Sequence, residues 1–378
     1  MKIVDRYVLG LFFSTFLICF SSFAGLFVVV HLFSNLDELS ALAQNEGWSQ
    51  IMTDFYLPRV AEIFDKTIAI LILASAIFSV NLLNRRREFT ALESSGITKS
   101  RMLRPIFVFA ILLIGVSILN RELLIPVYKS QLVRTAQTWG DHGNVDMRVQ
   151  EDLKAGVIVR GDELILDDKK IASPDFQLTL SEDNILKASS EWAILEPESP
   201  NHPPGFRLCQ VTQPIGFAEM DSILSDSGHP RLMTPKDNPS WLGKRQLFIV
   251  CDFELEQMAY GTKLADYLST PELVREVQKP RKWFGRDHEL IVHCRMVRPL
   301  LDFCLLCLGL PMVIGTIRNN VFVSFGICFW IVAIFQFSQM ACGFLGSSGM
   351  LTPAALAAWL PLIVFAPLAF VVMGKLKR

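Results

Sequence analysis

The stretch Arg85 to Arg104, with the sequence RRREFTALESSGITKSRMLR, separates two long apolar runs. Its arginines and lysines outnumber its two acidic residues, Glu88 and Glu93. A short loop this basic beside membrane helices belongs on the cytoplasmic side. The stretch therefore predicts the inner side of a membrane and fixes the topology of everything that flanks it.

The same stretch also has the pattern of a small amphipathic helix. Phe89, Leu92 and Ile97 can form an apolar stripe at helical spacing, and Gly96 is typical of a helix end. One hypothesis is that this helix is gripped by a cytoplasmic partner. The charges alone suit equally well a loop that only sets topology.

Composition separates this chain from ordinary soluble enzymes. The 378 residues are 51% hydrophobic, and the apolar residues are clustered into long runs, which indicates membrane spans rather than one large core. The formal net charge is −1, so no global basicity suggests a nucleic-acid partner.

Six apolar runs are long enough to cross a membrane. The first is far longer than the apolar core of a signal peptide, so we interpret it as a retained span that starts inside. With six spans, all short basic segments fall on one side, in agreement with the positive-inside bias. The predicted spans are about 7–33, 63–83, 102–124, 296–317, 321–343 and 354–373.

The segment between the third and fourth spans is mostly polar and has short alternating runs separated by turn residues. This pattern predicts an antiparallel β sandwich or jelly roll outside the membrane. A loop is predicted over 222–241, and helices follow it. The predicted strands are 156–160, 163–167, 176–180, 185–195, 206–212, 215–220 and 247–253.

The predicted fold is thus an α-helical membrane protein with six transmembrane helices, three plus three, and an inserted antiparallel β jelly-roll-like domain. Residues 1–124 hold the first three helices, with a cytoplasmic helix at about 85–98. Residues 125–292 form the β domain and a helical connector, and 293–378 form the last three helices.

The eight cysteines lack the spacing of a metal site. Cys304 and Cys307 lie within an apolar helix and are interpreted as packing residues. Cys209 and Cys251, in the external domain, can form one disulfide. No nucleotide-binding loop, zinc-protease helix or serine nucleophile motif is found, so we predict no catalytic residue and no metal, and any ATP site lies on another chain.

Four short motifs resemble the lipopolysaccharide-export permeases of the LptF/LptG type, and the likeness in layout extends over nearly the whole chain. Each motif is weak alone, but all four occur in order at the matching helix positions. They are Asp5-Arg6-Tyr7-Val8, Arg87-Glu88-Phe89-Thr90-Ala91-Leu92 followed by Ser95-Gly96-Ile97, His293-Cys294-Arg295 with Pro299, and Ala357-Ala358-Trp359-Leu360-Pro361.

The resemblance implies a permease subunit of an ATP-driven exporter in the bacterial inner membrane, with both termini cytoplasmic and the β domain periplasmic. It would extract lipopolysaccharide or a similar glycolipid from the outer leaflet. The implied partners are a cytoplasmic ATPase dimer, which carries the ATP and Mg, a second LptF/LptG-type permease, alike or paralogous, and a periplasmic bridge protein of the LptC/LptA type. The residues that match the ATPase-coupling helix are Arg87, Glu88, Ala91, Leu92 and Gly96.

Some residues depart from the family pattern. Glu93 stands where many relatives carry a basic residue, and Cys294 replaces an arginine. Arg298 and Asp302 are ionisable residues that the family pattern does not include. They lie four positions apart on one helix, so we predict either a structural ion pair between them or a contact with the substrate.

A second hypothesis concerns the substrate: His293, Arg295 and Arg298 help to hold an anionic head group. Two other function classes remain open from the residues. One is a lipid-modifying membrane enzyme, and the other is a mechanotransmitting permease that moves no substrate itself.

Overall fold

A computed structural model describes the chain in segments. The described residues are 3–135, 139, 144–147, 149–152, 156–166, 168–181, 184–199, 202–224, 230–238, 240–251, 255–278, 285–316, 321–351 and 353–376. They divide into two compact units. The helical unit comprises residues 1–132, 267–276 and 286–378, and the β unit comprises 133–266 and 277–285. The predicted β domain, 125–292, is therefore wider than the observed unit.

The helices follow the predicted apolar runs closely. Two of the long helices contain a π-helical segment, Ile51–Tyr56 in α3 and Asn120–Leu124 in α5. The helices are α1 Ile3–Ser34, α2 Leu36–Glu46, α3 Trp48–Arg85, α4 Glu88–Ser94, α5 Lys99–Val127, α6 Lys129–Val133, α7 Leu255–Tyr260, α8 Thr262–Ala265, α9 Thr270–Gln278, α10 Gly285–Thr316, α11 Val321–Ser347 and α12 Ala354–Leu376.

Five stretches among the described residues are long and apolar enough to cross a membrane. They are Ile3–Ser34, Trp48–Arg85, Lys99–Val127, Gly326–Ser347 and Ala354–Gly374. The predicted fourth span falls in α10, a continuous helix of 32 residues that is not one of these five. The count of six spans therefore stays a prediction, and the three-plus-three order of long helices around the β unit is observed.

One apolar core holds the helical unit together. Buried side chains from α1, α3, α5 and α10 meet in it, among them Phe12, Ile72, Ile106 and Leu305. In a membrane the alternative to this burial is contact with lipid, so close packing of these side chains holds the helices together. In the most apolar stretch of α3, 61% of the residues are buried within the chain, whereas in that of α1 only 11% are buried. Most of the surface of α1 is therefore left for lipid or for another chain.

The β unit is an antiparallel sheet whose described strands are mostly short. Val157 and Val159 are fully buried while Ile158 between them is not, which is the alternation that the sequence predicted. The strands are β1 Asn144–Asp146, β2 Gln150–Asp152, β3 Val157–Arg160, β4 Glu163–Ile165, β5 Lys170–Ala172, β6 Asp175–Ser181, β7 Asn184–Glu196, β8 Gly205–Gln213, β9 Ile223–Leu224, β10 Pro230–Met233 and β11 Gln246–Val250.

The long strand β7 organises the sheet. Its first half pairs with β6, its second half pairs with β5, and its other edge pairs with β8 along most of its length. The order is β1-β4-β5-β7-β8-β11-β10-β9, and β6, β3 and β2 branch off from β7. The inserted antiparallel jelly-roll-like domain predicted from the sequence is confirmed in this form.

Two local predictions in the β unit are wrong. The strand predicted over 215–220 is instead a 3₁₀ turn, Phe217–Glu219, because Gly216 takes a left-handed conformation with φ 80° and breaks any extended run. The predicted loop 222–241 contains strands β9 and β10. Both are shorter than the alternating runs from which strands are recognised in a sequence.

Candidate functional site

The basic stretch between α3 and α5 contains a single short helix, α4, seven residues long. The chain enters it through Arg87, which has a left-handed backbone with φ 59°. The amide of Arg87 donates to the carbonyl of Asn84 at 2.9 Å, and the carbonyl of Arg87 accepts from the amide of Ala91 at 3.1 Å. A non-glycine residue in this conformation is uncommon and strained, so the entrance to α4 is held by its surroundings.

Gly96 ends α4 with a Schellman motif. The amide of Ile97 donates to the carbonyl of Leu92 at 3.2 Å, and the amide of Gly96 donates to the carbonyl of Glu93 at 3.0 Å. Gly96 has φ +83°, which suits a residue without Cβ. The prediction that Gly96 stops the helix is confirmed.

The apolar stripe of α4 packs against the core of the helical unit. Phe89 is only 7% exposed and belongs to that core, while Leu92 and Ile97 pack against it in a partly buried state. The predicted stripe is confirmed. It fixes α4 to the helical unit and leaves Arg87 and Ala91 on the exposed side.

Glu88 begins α4 and is held by a residue of the first helix. The Tyr7 hydroxyl donates to a carboxylate oxygen of Glu88 at 2.8 Å, and the Arg86 guanidinium donates to the Tyr7 hydroxyl at 3.4 Å. Glu93, further along the helix, pairs with Lys99 at 3.3 Å. Tyr7 was not among the predicted site residues, because no spacing rule links residues 81 positions apart.

A buried group of charged side chains lies about twenty residues back along α3 from its basic end, which is about 30 Å at 1.5 Å per residue. The Asp65 carboxylate accepts from the Arg121 guanidinium at 2.9 Å and from the Ser117 hydroxyl at 2.9 Å. Asp65 and Arg121 are both only 5% exposed in this part of the structure. Buried charges persist only when they are paired and hydrogen-bonded, which is the arrangement here.

Arg298 of α10 completes this group. Its guanidinium donates to an Asp65 carboxylate oxygen at 3.2 Å and to the Asp65 carbonyl at 2.6 Å. Within the described part of the chain, Arg298 forms its ion pair with Asp65 in place of the predicted partner Asp302, which is buried one turn further along α10. The reason is that α3 offers the long arginine side chain two acceptors at once.

The other predicted head-group residues lie nearby on α10. The Arg295 guanidinium donates to the carbonyl of Leu268. Nε2 of His293 is 4.0 Å from a Glu289 carboxylate oxygen, and its buried Nδ1 has no hydrogen-bond partner among the described residues. The Arg295 and Arg298 guanidinium groups therefore donate to different protein acceptors.

Helix α9 is fastened to the ends of the long helices. The amide and the hydroxyl of Thr270 both donate to the Glu122 carboxylate, and the Tyr267 hydroxyl donates to Glu62 at 2.8 Å. Ser269 and Glu272 form a reciprocal capping box, so Ser269 is the N-cap of α9. The hydrogen bond from the Ser269 amide holds the pKa of Glu272 below its ordinary value.

No group of three or more His, Cys, Asp or Glu side chains that could hold a metal is found in the described segments. Cys209 and Cys251 are both free thiols. They lie at opposite ends of the ladder between β8 and β11, about 17 Å apart at 3.3 Å per residue, so they are too far apart for a disulfide.

Comparison with known families gives one match. The sequence model described as lipopolysaccharide export system permease LptF/LptG matches residues 6–165 and 207–375. The matched residues include α4, the Asp65 cluster and the long helices on both sides of the β unit. Comparison with curated proteins finds no matching sequence. Because the family model covers most of the chain, the resemblance seen in four short motifs is confirmed, and the chain belongs to the LptF/LptG family of lipopolysaccharide export permeases.

Proposed function

We propose that this chain is a transport subunit of an ATP-driven complex that extracts lipopolysaccharide or a similar glycolipid from the outer leaflet of the bacterial inner membrane. A separate cytoplasmic ATPase dimer supplies ATP and Mg, and this chain itself carries no cofactor. A second LptF/LptG-type permease completes the cavity. A periplasmic bridge protein of the LptC/LptA type receives the glycolipid from the β unit. Family membership supports this assignment.

The observation that carries the proposal is the construction of α4. A seven-residue helix is too short to be stable by itself, yet this one is capped at Gly96 and anchored through Phe89. Its opposite face is exposed. A rigid exposed helix between two membrane helices is suited to transmit force from a protein bound there. We assign this role to α4, with Glu88 in charge-assisted contact with a basic group of the ATPase.

Changing Glu88 to Arg tests this assignment. The ATPase chain is expected to be lost from the complex in a mild-detergent pull-down, with at least about a tenfold drop in recovery, because an attractive charge contact becomes a repulsive one. Glycolipid transport, measured as the release of glycolipid from spheroplasts, is expected to fall in parallel.

Tyr7→Phe is the matched control, because Glu88 also accepts a hydrogen bond from Tyr7. This variant removes the internal bond and leaves the carboxylate in place. We expect it to retain the ATPase. If Tyr7→Phe lost the ATPase as completely as Glu88→Arg, the carboxylate would act through internal packing, and the coupling role would be refuted.

The pairing with a second permease is supported by the exposed helices. The most apolar stretches of α1, α11 and α12 are only 11%, 17% and 22% buried within the chain. Such surface suits an intramembrane cavity and a helical partner as well as lipid. Family membership makes a permease of the same type the proposed partner.

Arg295, Arg298 and His293 are proposed to contact the anionic head group. The Arg298 side chain is 30% exposed although it pairs with Asp65, so some of its donors remain accessible. Changing Arg295 and Arg298 together to Gln is expected to reduce glycolipid co-purification about tenfold or more. Unchanged lipid recovery and unchanged export in a folded double variant would rule out this role.

A further inference from the structure

A groove lies between the N-terminal parts of α1 and α5. It encloses about 560 Å³, which is within the usual range for a site that holds a small molecule or a lipid head group. Asp5, Ser100, Arg101 and Arg104 form its polar part. Nothing in the function proposed above uses these residues.

The groove carries more positive than negative charge, because two arginines, Arg101 and Arg104, and one acidic residue, Asp5, line it. The first turn of α5 contains no acidic residue, and Thr98 at its N-cap makes no side-chain capping bond. The N-terminus of a helix carries a partial positive charge, so Arg101, in the first turn of α5, is placed where a cation is unfavourable. In the described part of the chain, neither guanidinium has an ion pair or a side-chain hydrogen bond. An anion bound there would interact with both arginines and with the free amides of the helix end.

The groove also changes from polar to apolar along its length. Arg101, Arg104, Pro105 and Val108 share one face of α5, at spacings of three and four residues. From Arg101 to Val108 the helix rises about 10 Å, at 1.5 Å per residue. Leu9 of α1 lines the groove toward the apolar end. The charged end is therefore at the edge of a membrane-spanning helix, and the apolar end points along its span.

We propose that this groove binds an anionic glycerophospholipid of the phosphatidylglycerol class. The phosphate is held by Arg101, Arg104 and the N-terminal amides of α5. The acyl chains follow Leu9 and Val108. Basic pockets between membrane helices commonly recognise anionic head groups in this way. The assignment of this leaflet as the cytoplasmic one rests on the orientation proposed above, but the binding itself does not.

Native mass spectrometry of the purified chain tests the proposal. The chain is titrated in detergent with phosphatidylglycerol or with phosphatidylcholine of the same acyl chains. Wild type is expected to retain phosphatidylglycerol preferentially. Changing Arg101 and Arg104 together to Gln is expected to weaken that binding roughly thirtyfold, since two basic contacts near an anionic group are lost.

Two further variants keep the test decisive. Arg85→Gln with Arg86→Gln removes the same charge from exposed residues outside the groove and is expected to leave phosphatidylglycerol binding within about twofold of wild type. Val108→Trp fills the apolar end while keeping both arginines, and it is expected to reduce binding. The unfolding temperature of each variant is measured alongside.

Three results would overturn the proposal. The first is equal binding of the two lipids by wild type. The second is an equal loss in the groove variant and in the Arg85 and Arg86 control, which would indicate general surface charge. The third is wild-type lipid binding in a groove variant that no longer recovers the ATPase chain, which would assign the arginines to a protein interface. Because the lipid titration contains no ATPase, its failure is distinct from failure of the proposed function.

Discussion

At the scale of single residues, Asp65 joins three helices. Its carboxylate accepts hydrogen bonds from Ser117 and Arg121 of α5 and from Arg298 of α10. A carboxylate buried within an apolar helix is unfavourable unless its charge is paired, so these contacts are mutually dependent. Because the pair is surrounded by protein, salt is expected to screen it weakly.

Arg121→Gln is expected to lower the free energy of unfolding of the helical unit by about 3 kcal/mol, because it leaves the Asp65 carboxylate buried with less compensation. Changing Asp65 to Asn as well is expected to recover more than half of that loss. The unfolding midpoint in detergent measures both effects. A double variant as unstable as the single one would show that the charge of Asp65 is not the source of the cost.

The sequence revealed these charges but not their partners. The spacing of Arg298 and Asp302 on one helix predicted a local pair, and local spacing is all that one sequence offers. The observed pair joins residues 233 positions apart. The useful signal was the presence of an acid in one predicted span and of bases at the ends of two others, since ionisable groups in membrane helices rarely stay unpaired.

At the scale of elements, α4 depends on its two ends. Gly96 has open space where a Cβ would lie, so only its left-handed backbone opposes a larger residue. Gly115, in α5, also has open space, and its backbone is helical. The two glycines therefore form a matched pair in which backbone conformation is the main difference.

Gly96→Ala is expected to weaken the end of α4 by about 1 kcal/mol, because alanine is strained in the left-handed region. Amide hydrogen exchange in the peptide that covers α4 is expected to quicken about fivefold. Gly115→Ala is expected to leave that exchange unchanged. Equal acceleration in both variants would mean that the conformation of Gly96 does not hold the helix.

Elements with strong local patterns were predicted from the sequence, and those set by pairing were not. Strands β7 and β8 are long and alternate clearly, and both were predicted. Strands β9 and β10 have only two and four residues. They are held in an extended conformation by pairing: β10 pairs with β9 on one edge and with β11 on the other. The residues around Gly216 have a strand-like composition, but the left-handed backbone of Gly216 prevents an extended strand there, and a 3₁₀ turn forms instead.

At the scale of the whole molecule, the proposed topology places α4 and the β unit on opposite sides of the membrane. Ser94 is exposed on α4, and the side chain of Asp168 in the β unit is 59% exposed. Each can therefore carry a reporter cysteine without disturbing a core.

In intact cells with a permeable outer membrane, Asp168→Cys is expected to react with a membrane-impermeant maleimide. Ser94→Cys is expected to react only after lysis. Labelling of the parent chain, which contains the exposed Cys294, gives the background. The reverse pattern would place the β unit in the cytoplasm and would refute the proposed direction of transport.

The unbroken run of α3 from Asp65 to Arg85 has a mechanical consequence. This run is about 30 Å long, so a rotation of about 10° about the Asp65 junction would displace its far end by about 5 Å. A nucleotide-driven displacement of a few ångströms at the Arg85 end would thus correspond to a rotation of a few degrees at Asp65, where α3, α5 and α10 are hydrogen-bonded to one another. If the proposed ATPase acts on α3 in this way, loosening the contacts of Asp65 should reduce glycolipid transport while ATP hydrolysis continues.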